Sequence, residues 1–517
     1  MEIMYLVQLS LVTVIIITCL LYLYFIRRFN YWKNRGIYAQ TPTFPFGNAK
    51  DAFLRRKGVG EVFKDIYDDS FKKLEKCAGF YFLSKPILVL VDLDLCQSIF
   101  KTDFEYFTDR VFHSQDYDPL SAHLGALKGE QWKKMRLKLS PAFTPAKIKM
   151  MFHIINNCVD QLMSVLDDAA LNNEAVEMKH LITRYSIDVI VSSSFGIECN
   201  TINNRNLEFI KTADAFWNSS LWRTVIRLLT FVNPNLLGYF QIKFVSDDIT
   251  NFFLNTTEKI VKYRENNNVI RKDLLHLLLQ IRNNIRIEDD DVGGFNNTNV
   301  IDHSLSITEI AAQCFIFFFA GYETTSSAIT FCLYEISLNE ELQEKAREEV
   351  RTVHAKHNGE FNSEAIGELS YVDKCLKESL RKYPTVPILT RECNKNYTNS
   401  LTGIKIEKGT VVVMPALGIH RNPQFYPEPD VFDPERFSPE NSNNRHPCAY
   451  IPFGYGPRNC IAYQFGLMEA KVVMAKLLLN YKFQVKSSIK TPIVIDPTTF
   501  VLRSDSGIWL NIEKIKV

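Results

Sequence analysis

The turn FGYGPRNC, residues 453–460, places a cysteine directly before an apolar segment with the pattern of a helix. The free N–H groups and the dipole of such a helix are expected to lower the pKa of a thiol at this position. The resulting thiolate can serve as a metal ligand or a nucleophile. Two alternatives stay open: a turn that serves packing, and a cysteine hydrolase. The histidines a hydrolase could use are His303, His354, His357, His420 and His446.

The stretch AGYETT, residues 320–325, brings an acid and a hydroxyl together inside a long apolar segment. Glu323 beside Thr324 in a protein core supplies the residue types needed to move protons. Gly321 within a helix would cost about 1 kcal/mol of stability. The alternative is a local kink in which Thr324 hydrogen-bonds to a backbone carbonyl.

Two pairs of residues have helical spacing. Glu378 and Arg381 in KESLR are three apart, and Trp132 and Arg136 in WKKMR are four apart, so each pair shares a helix face. Charged pairs of this kind are commonly surface ion pairs that contribute little to stability.

The elements that must position these residues are mainly helices. SITE, residues 306–309, is a capping box, and the apolar segment after it predicts a helix of about thirty residues, to near Leu338. Further helices are predicted over 339–357, 370–383 and 461–480. Short strands are predicted within 86–94, 404–415 and 507–517. We therefore expect a mainly α fold with small β-sheets.

The N-terminal segment 3–26 has no charge and is long enough to cross a bilayer core of about 30 Å. A cleaved signal peptide fits less well, because no basic region precedes the segment and no small-x-small site follows it. Four basic residues come directly after it, Arg27, Arg28, Lys33 and Arg35, which by the positive-inside rule leaves the rest of the chain in the cytosol. We expect a transmembrane anchor over 3–26, a basic and proline-rich hinge over 27–50, and one domain over 51–517.

Composition narrows the class further. The 517 residues carry a net charge of +2, so no overall basic character indicates nucleic acid as a partner. The eleven cysteines are odd in number and include no C-x-x-C pair, which argues against a disulfide framework and a zinc ribbon.

Five motifs, in order along the chain, resemble those of cytochrome P-450 monooxygenases. FGYGPRNC resembles the haem-thiolate turn F-x-x-G-x-R-x-C, and AGYETT resembles the oxygen-activating stretch of the family. KESLR resembles E-x-x-R, FDPERF at 432–437 the arginine-bearing segment, and WKKMR the pattern W-x-x-x-R. The resemblance covers nearly the whole chain and is closest to insect microsomal members associated with foreign compounds and plant toxins.

The resemblance implies a mainly α cytochrome P-450 fold and haem b as cofactor. Cys460 would be the thiolate ligand of the haem iron, and Phe453 would pack near its sulfur. The haem propionates would be held by Arg458, Trp132, Arg136 and Arg391.

The remaining motif residues take their implied roles in the same way. Ala320 and Gly321 would leave room for dioxygen, and Thr324 with Glu323 would deliver protons through water. A structural charge network beneath the haem would consist of Glu378, Arg381 and Arg436. The chain departs from the family at Ala462, where glycine is usual, and at Gln464, where arginine is frequent.

The implied activity is the insertion of one oxygen atom of O2 into lipophilic substrates, at the endoplasmic reticulum membrane, by a single-pass protein with a cytosolic catalytic domain. Electrons would come from NADPH–cytochrome P-450 reductase, with cytochrome b5 as a second donor, since the chain shows no flavin or nicotinamide fingerprint. The alternatives are a reductase-independent isomerase or dehydratase, and a non-catalytic haem or lipophile binder. Intact Glu323 and Thr324 count against the isomerase.

The family's partner surfaces carry over by position only. Lysines expected on the reductase-facing side are Lys133, Lys134, Lys138, Lys382 and Lys471. Aromatic residues expected to roof the substrate pocket are Phe216, Trp217, Trp222, Phe231 and Tyr239, although each could equally be an ordinary core residue. Segments 112–124 and 386–389, with Phe500, should also line the pocket.

Overall fold

The structure, a computed structural model, describes residues 2–112, 114–202, 208–217, 226, 238–283 and 304–515. The helices described in the first half are α1 (Glu2–Phe29), α2 (Lys50–Phe53), α3 (Val59–Lys72), α4 (Leu93–Gln97), α5 (Gly129–Leu139), α6 (Pro145–Met150), α7 (Phe152–Leu171), α8 (Met178–Phe195) and α9 (Glu208–Trp217). Those described in the second half are α10 (Asp247–Asn266), α11 (Leu274–Arg282), α12 (Ile307–Leu338), α13 (Glu340–Lys356), α14 (Ser363–Glu368), α15 (Ser370–Lys382), α16 (Ala416–His420), α17 (Pro439–Ser442) and α18 (Tyr463–Asn480).

The strands among the described residues are short and form three small sheets. They are β1 (Cys77–Phe82), β2 (Lys85–Leu90), β3 (Val176–Glu177), β4 (Leu389–Glu392), β5 (Tyr397–Thr398), β6 (Lys405–Ile406), β7 (Val411–Met414), β8 (Tyr481–Val485) and β9 (Trp509–Lys514). The orders are β1-β2-β7-β4, β3-β9-β8 and β5-β6. In the first sheet β2 and β7 pair in parallel, and the other two pairings are antiparallel. The predicted mainly α fold with small sheets is confirmed.

Helix α12 runs through the largest hydrophobic core, and the predicted capping box starts it. Ser306 Oγ accepts a hydrogen bond from the Glu309 backbone N–H at 3.1 Å, and the Ser306 N–H donates to Glu309 Oε2 at 2.8 Å. The helix ends at Leu338, as the sequence predicts. It packs closely on α8, since a Cβ built on Gly321 would lie 2.5 Å from Ile190 Cδ1. Gly321 therefore has a packing reason as well as the role that the family resemblance implies.

The other predicted elements are confirmed with adjusted ends. Helix α13 begins behind the Asn339 cap, and α15 ends at Lys382, before Pro384. Helix α18 begins at Tyr463, two residues later than expected, because the loop that carries Cys460 continues through Ala462. The backbone φ of Ala462 is −102°, so alanine meets no conformational strain where the family usually has glycine.

The N-terminal helical segment Ile3–Arg35 is long and apolar enough to cross a membrane. The chain that follows the apolar part is docked on the first sheet. Trp32 is buried; its indole N–H donates to the Phe80 carbonyl at 3.2 Å and its backbone N–H donates to the Tyr81 hydroxyl at 3.0 Å. These bonds fix the end of the N-terminal helical segment against β1.

Candidate active site

The turn 453–460 is held in shape by hydrogen bonds within its own backbone and by close contact with the backbone at Phe100. The Cys460 N–H donates to the Phe453 carbonyl at 2.8 Å, and the Asn459 N–H donates to the Gly456 carbonyl at 3.0 Å. Gly456 has φ +73°, and a Cβ on it would lie 1.8 Å from the Phe100 carbonyl oxygen. Only glycine fits both the left-handed backbone and this approach. The shape of the turn is thus fixed before any ligand is considered.

Cys460 lies at the end of this turn; its side chain is accessible to solvent, but protein atoms surround the thiol closely enough to desolvate it. Burial raises the pKa of its thiol, while the backbone N–H of Ala462 and the Arg110 and Arg136 guanidiniums oppose that rise. The expectation of a lowered pKa is therefore wrong for the protein without a metal, since desolvation outweighs the donors. A bound metal cation would displace the proton, because thiol ligands bind as thiolates.

Four arginines converge beside the turn: Arg110, Arg136, Arg391 and Arg458. The Arg110 guanidinium donates to the Arg458 carbonyl at 2.7 Å, and Arg136 donates to the Asn459 carbonyl at 2.9 Å and to its side-chain oxygen at 3.0 Å. Arg458 donates to the Thr108 carbonyl at 2.6 Å and to the Leu127 carbonyl at 2.7 Å. Backbone carbonyls from several segments thus hold the guanidiniums in place.

The charges of this cluster repel each other. Burial and the neighbouring Arg110 and Arg136 lower the pKa of Arg458 to about 9. Burial, together with Arg110 and Arg458, also lowers the pKa of Arg391. The carboxylate of Asp109 is 3.9 Å from Arg458 Nη2, which is a long ion pair. Such a group of buried cations is stabilised by anions placed among them.

The hydrogen bonding of Arg391 also indicates that an anion or another acceptor belongs in this cluster. It lies on β4, buried, with its guanidinium carbon 4.5 Å from the centre of the Phe100 ring. Its Nε is buried and has no hydrogen-bond partner among the described residues. A buried N–H without a partner is costly, so an acceptor is expected here.

Trp132 and Arg136 share a face of α5, as their spacing predicts. Trp132 is buried, and the Arg458 guanidinium carbon lies 4.3 Å above the centre of its ring. This cation–π contact orients Arg458, while Arg136 reaches the turn directly. Phe453 is half-buried, with its ring 6.0 Å from that of Tyr463 at the start of α18.

Glu378 and Arg381 form a fully buried pair rather than a surface one. Arg381 Nε donates to Glu378 Oε2 at 2.6 Å and Nη2 donates to Oε1 at 2.8 Å, with both side chains at 0% exposure. Arg436 Nε lies 3.5 Å from Glu378 Oε1, so the structure brings the three residues together. Arg381 also donates to the His420 carbonyl at 2.9 Å.

His420 connects this network to the cysteine turn. Its Nε2 accepts from the Ile451 N–H at 2.9 Å, two residues before the turn begins. Burial and Arg381 lower the pKa of His420 to about 3, which keeps its ring neutral and able to accept. The other described histidines of the hydrolase alternative contact residues elsewhere: His354 packs on Phe361, His357 pairs with Glu368, and His446 pairs with Asp94. His303 lies outside the described residues.

The acid and alcohol of α12 have different partners. Thr324 Oγ1 donates to the Ala320 carbonyl at 2.6 Å, which is the bond that the kink alternative predicts. Glu323 Oε1 lies 3.1 Å from Lys179 Nζ of α8, and both side chains are largely buried. Ala320 is exposed although it sits in the middle of a core helix. A Cβ on Gly466 of α18 would be 3.6 Å from Thr325 Oγ1, which places this part of α12 on the helix that follows Cys460.

The chain is similar in sequence to proteins of one known family. The family model described as cytochrome P-450 matches residues 42–511. The chain is 36% identical to a Drosophila melanogaster protein named probable cytochrome P-450 6a14, over 95% of this chain and 96% of the relative. It is 35% identical to cytochrome P-450 6a2 of the same species, over 96% and 97%, and 34% identical to cytochrome P-450 6j1 of Blattella germanica, over 96% and 95%.

This chain belongs to the cytochrome P-450 family. Its reaction class is that of a haem-thiolate monooxygenase, and the resemblance to insect members is confirmed. Cytochromes P-450 bind haem, whose propionates are a pair of anions. The arginine cluster and the Arg391 Nε, which has no partner among the described residues, fit such anions, and the Cys460 thiol lies beside the cluster, so the residues present fit a haem-thiolate group.

Sequence reasoning did not single out Arg110 or Lys179. Arg110 follows Thr108 and Asp109 in a loop, where no spacing rule marks it. Lys179 is the second residue of α8, and only the packing of α8 on α12 brings it to Glu323. No pattern in the sequence marks either residue, because each reaches the site through a contact between segments that are distant in the chain.

The five lysines expected to face a cytochrome P-450 redox partner differ in their exposure and in their partners. Lys133 and Lys134 are exposed on α5. Lys382 is instead largely buried, with Nζ 2.8 Å from Glu335 Oε1, and Lys471 pairs with Asp373 at 2.8 Å. The expectation that Lys382 and Lys471 are available to a partner is wrong, because neighbouring carboxylates already neutralise them. Lys138 is half-buried and donates to the Ser304 carbonyl at 3.0 Å.

The aromatic residues expected over the pocket are only partly described. The Phe216 ring lies 4.1 Å from that of Phe319 on α12, and the Trp217 indole N–H donates to the Tyr322 hydroxyl at 2.7 Å. Tyr239 is strongly exposed. Trp222 and Phe231 lie outside the described residues.

Proposed function

We propose that this protein is a membrane-anchored monooxygenase that inserts one oxygen atom of O2 into lipophilic substrates with electrons from NADPH–cytochrome P-450 reductase. The observation that supports it most is the placement of Cys460 at the end of a preformed turn beside four converging arginines. Cytochrome b5 is a second electron donor in this proposal. The anchor lies in the endoplasmic reticulum membrane, and the catalytic domain faces the cytosol.

The residues present can hold haem b. Cys460 would be the thiolate ligand, and Arg110, Arg136, Arg391 and Arg458 would pair with the propionates, with Trp132 orienting Arg458. When bound, haem supplies the activation of dioxygen, which a thiolate ligand favours. The Glu378, Arg381 and Arg436 network holds the chain before the turn through His420 and Ile451.

Protons for the reaction would pass along α12. The Thr324 hydroxyl is able to release the Ala320 carbonyl and donate elsewhere, since this i−4 bond is a local one. Glu323, next in line, is held by Lys179 and would supply protons through water. Ala320, whose small side chain is exposed, would leave room for dioxygen, whereas Gly321 faces Ile190 of α8.

The substrate side of the site is apolar. Phe216 packs against Phe319, and Phe315 lies 5.0 Å from Phe319, so the face of α12 toward α9 is lined with aromatic rings. Such a surface binds lipophilic molecules better than polar ones. A substrate dissolved in the bilayer would reach it from the side of the anchor.

The deciding experiment is the reduced carbon-monoxide difference spectrum of the membrane-expressed protein, with Cys460→Ser as the paired variant. A strongly red-shifted Soret band that is lost in the variant is expected. A spectrum typical of histidine ligation in the parent would contradict the proposal. Product that depends on NADPH, reductase and O2 together would then separate a monooxygenase from an isomerase and from a binder.

A further inference from the structure

A concave surface lies where the apolar helix meets the catalytic domain. Its volume is about 360 Å³, and it is lined by Tyr24, Arg27, Arg28, Tyr31, Asn34 and Arg35. The lining positions recur every three or four residues, so they form one face of the helical segment. Three of the six side chains are guanidiniums, which are the groups best suited to bind phosphate through paired hydrogen bonds.

The depth of this surface in a membrane follows from the chain. Residues 3–26 carry no charge, and the first arginine of the surface comes directly after them. A helix that spans the hydrocarbon core therefore places Arg27 and Arg28 at the level of the lipid headgroups. The buried Trp32, bonded to Phe80 and Tyr81, holds this face at a fixed position against the domain.

Neighbouring groups orient the arginine side chains of this surface but neutralise only part of their positive charge. Arg28 Nε donates to the Ser84 carbonyl at 3.3 Å, and the Arg35 guanidinium carbon lies 3.6 Å above the centre of the Tyr31 ring. Glu407 accepts from Arg35 Nη2 at 2.5 Å and from the Tyr31 hydroxyl at 2.9 Å. One carboxylate set against three guanidiniums leaves two positive charges for a ligand.

We propose that this surface, the juxtamembrane arginine site, binds the phosphodiester headgroup of a net anionic phospholipid such as phosphatidylinositol. A zwitterionic headgroup brings its own cation to the surface and neutralises less of its charge. A basic segment next to a membrane helix gains about 1 kcal/mol per arginine from anionic lipid. The site would tie the catalytic domain to one lipid at the point where the anchor leaves the bilayer.

The test is a titration of the purified full-length holoprotein in detergent with phosphatidylinositol, with bound lipid counted by native mass spectrometry. Arg27→Gln should weaken binding about fivefold, as expected for one arginine near a lipid surface. Lys33→Gln is the matched control, because Lys33 is also exposed and lies in the same segment but does not line the site. The affinity of this variant should stay close to that of the parent, because Lys33 does not line the surface on which the headgroup would bind.

Three further measurements test the nature of the ligand. Glu407→Gln removes the competing carboxylate and should strengthen binding of phosphatidylinositol. Phosphatidylcholine should bind more weakly than phosphatidylinositol, and inorganic phosphate at millimolar concentration should not displace the lipid. Equal losses in the Arg27 and Lys33 variants, or displacement by inorganic phosphate, would overturn the proposal. An unchanged reduced carbon-monoxide spectrum in each variant shows that the fold is intact, so loss of lipid is read separately from activity.

Discussion

Lys179 Nζ lies 3.1 Å from Glu323 Oε1 and 2.6 Å from Ser326 Oγ, which ties the second residue of α8 to the acid of α12. Burial lowers the pKa of Lys179, and Glu323 opposes that shift. The acid next to Thr324 is therefore held from a neighbouring helix. We infer a positioning role for Lys179, since it reaches the proposed proton path through Glu323.

Lys179→Met should raise the share of reducing equivalents released as hydrogen peroxide about fivefold. The reason is that losing one partly buried contact of roughly 1 kcal/mol shifts a kinetic partition by that factor. The measurement compares NADPH consumed, product and peroxide in a reconstituted system. Lys179→Arg, which keeps the charge, should restore most of the coupling. Equal loss of coupling in both variants, or none in either, would rule out the positioning role.

Gly456→Ala should nearly abolish incorporation of haem. The added Cβ would lie 1.8 Å from the Phe100 carbonyl oxygen, so the turn or the segment around Phe100 must move. Gly454→Ala is the matched control: its φ of +79° is similarly left-handed, but its nearest new contact is at 3.6 Å. That variant should lose only about 1–2 kcal/mol of stability and keep much of its haem. The reduced carbon-monoxide band per unit of protein measures both; similar bands would contradict the account of the turn.

Sequence analysis predicted the elements whose signals are local. The capping box at Ser306 and Glu309 fixed the start of α12, and the i,i+3 spacing brought Glu378 to Arg381. The burial of Glu378 and Arg381, in contrast, could not be predicted from their spacing. The same spacing that usually gives a surface ion pair here gives a pair with no exposure, because carbonyls from other segments surround Arg381.

The residues that sequence analysis missed or misplaced depend on tertiary contacts. Arg110 enters the arginine cluster from a loop, and Lys382 turns to the buried Glu335 of α12 rather than to solvent. The pKa direction of Cys460 was wrong because desolvation depends on what surrounds the thiol. Glu349 is a further case: it accepts hydrogen bonds from the Tyr371 and Val372 N–H groups and caps α15 from α13.

Charge reversal at Lys133 and Lys134 together should lower reductase-supported turnover several-fold at low salt. Both are exposed on α5, the helix whose Arg136 reaches the cysteine turn, so an acidic partner near Cys460 would meet them. Raising the ionic strength should shrink the effect, because exposed charges are screened. Lys262→Glu on α10, also exposed, is the control and should leave turnover unchanged. Unchanged turnover in the double variant would exclude this face as the docking surface.

Glu469 predicts how stability depends on pH. It lies fully buried on α18, where Oε1 accepts from the Ser186 hydroxyl at 2.8 Å and Oε2 has no partner among the described residues. Burial raises the pKa of Glu469 to about 8. Between its ordinary pKa and this value the folded protein keeps a proton that the unfolded chain has lost. The contribution of the protonated Glu469 carboxyl to the stability of the folded protein is fully present below the ordinary pKa of a glutamate. It is lost as the pH rises through about 8.

The free energy of unfolding should therefore fall by about 2 kcal/mol from about pH 6 to about pH 8 through this group alone. Glu469→Gln keeps the shape and a hydrogen-bond acceptor for Ser186 but does not titrate, so the difference between parent and variant isolates the contribution. The measurement is denaturant unfolding of the full-length holoprotein in detergent at several pH values. Glu348→Gln, at an exposed position of α13, should retain the dependence of the parent. Parallel curves for the parent and Glu469→Gln would show that the Glu469 carboxyl ionises without cost, and that the core around Ser186 is open to water.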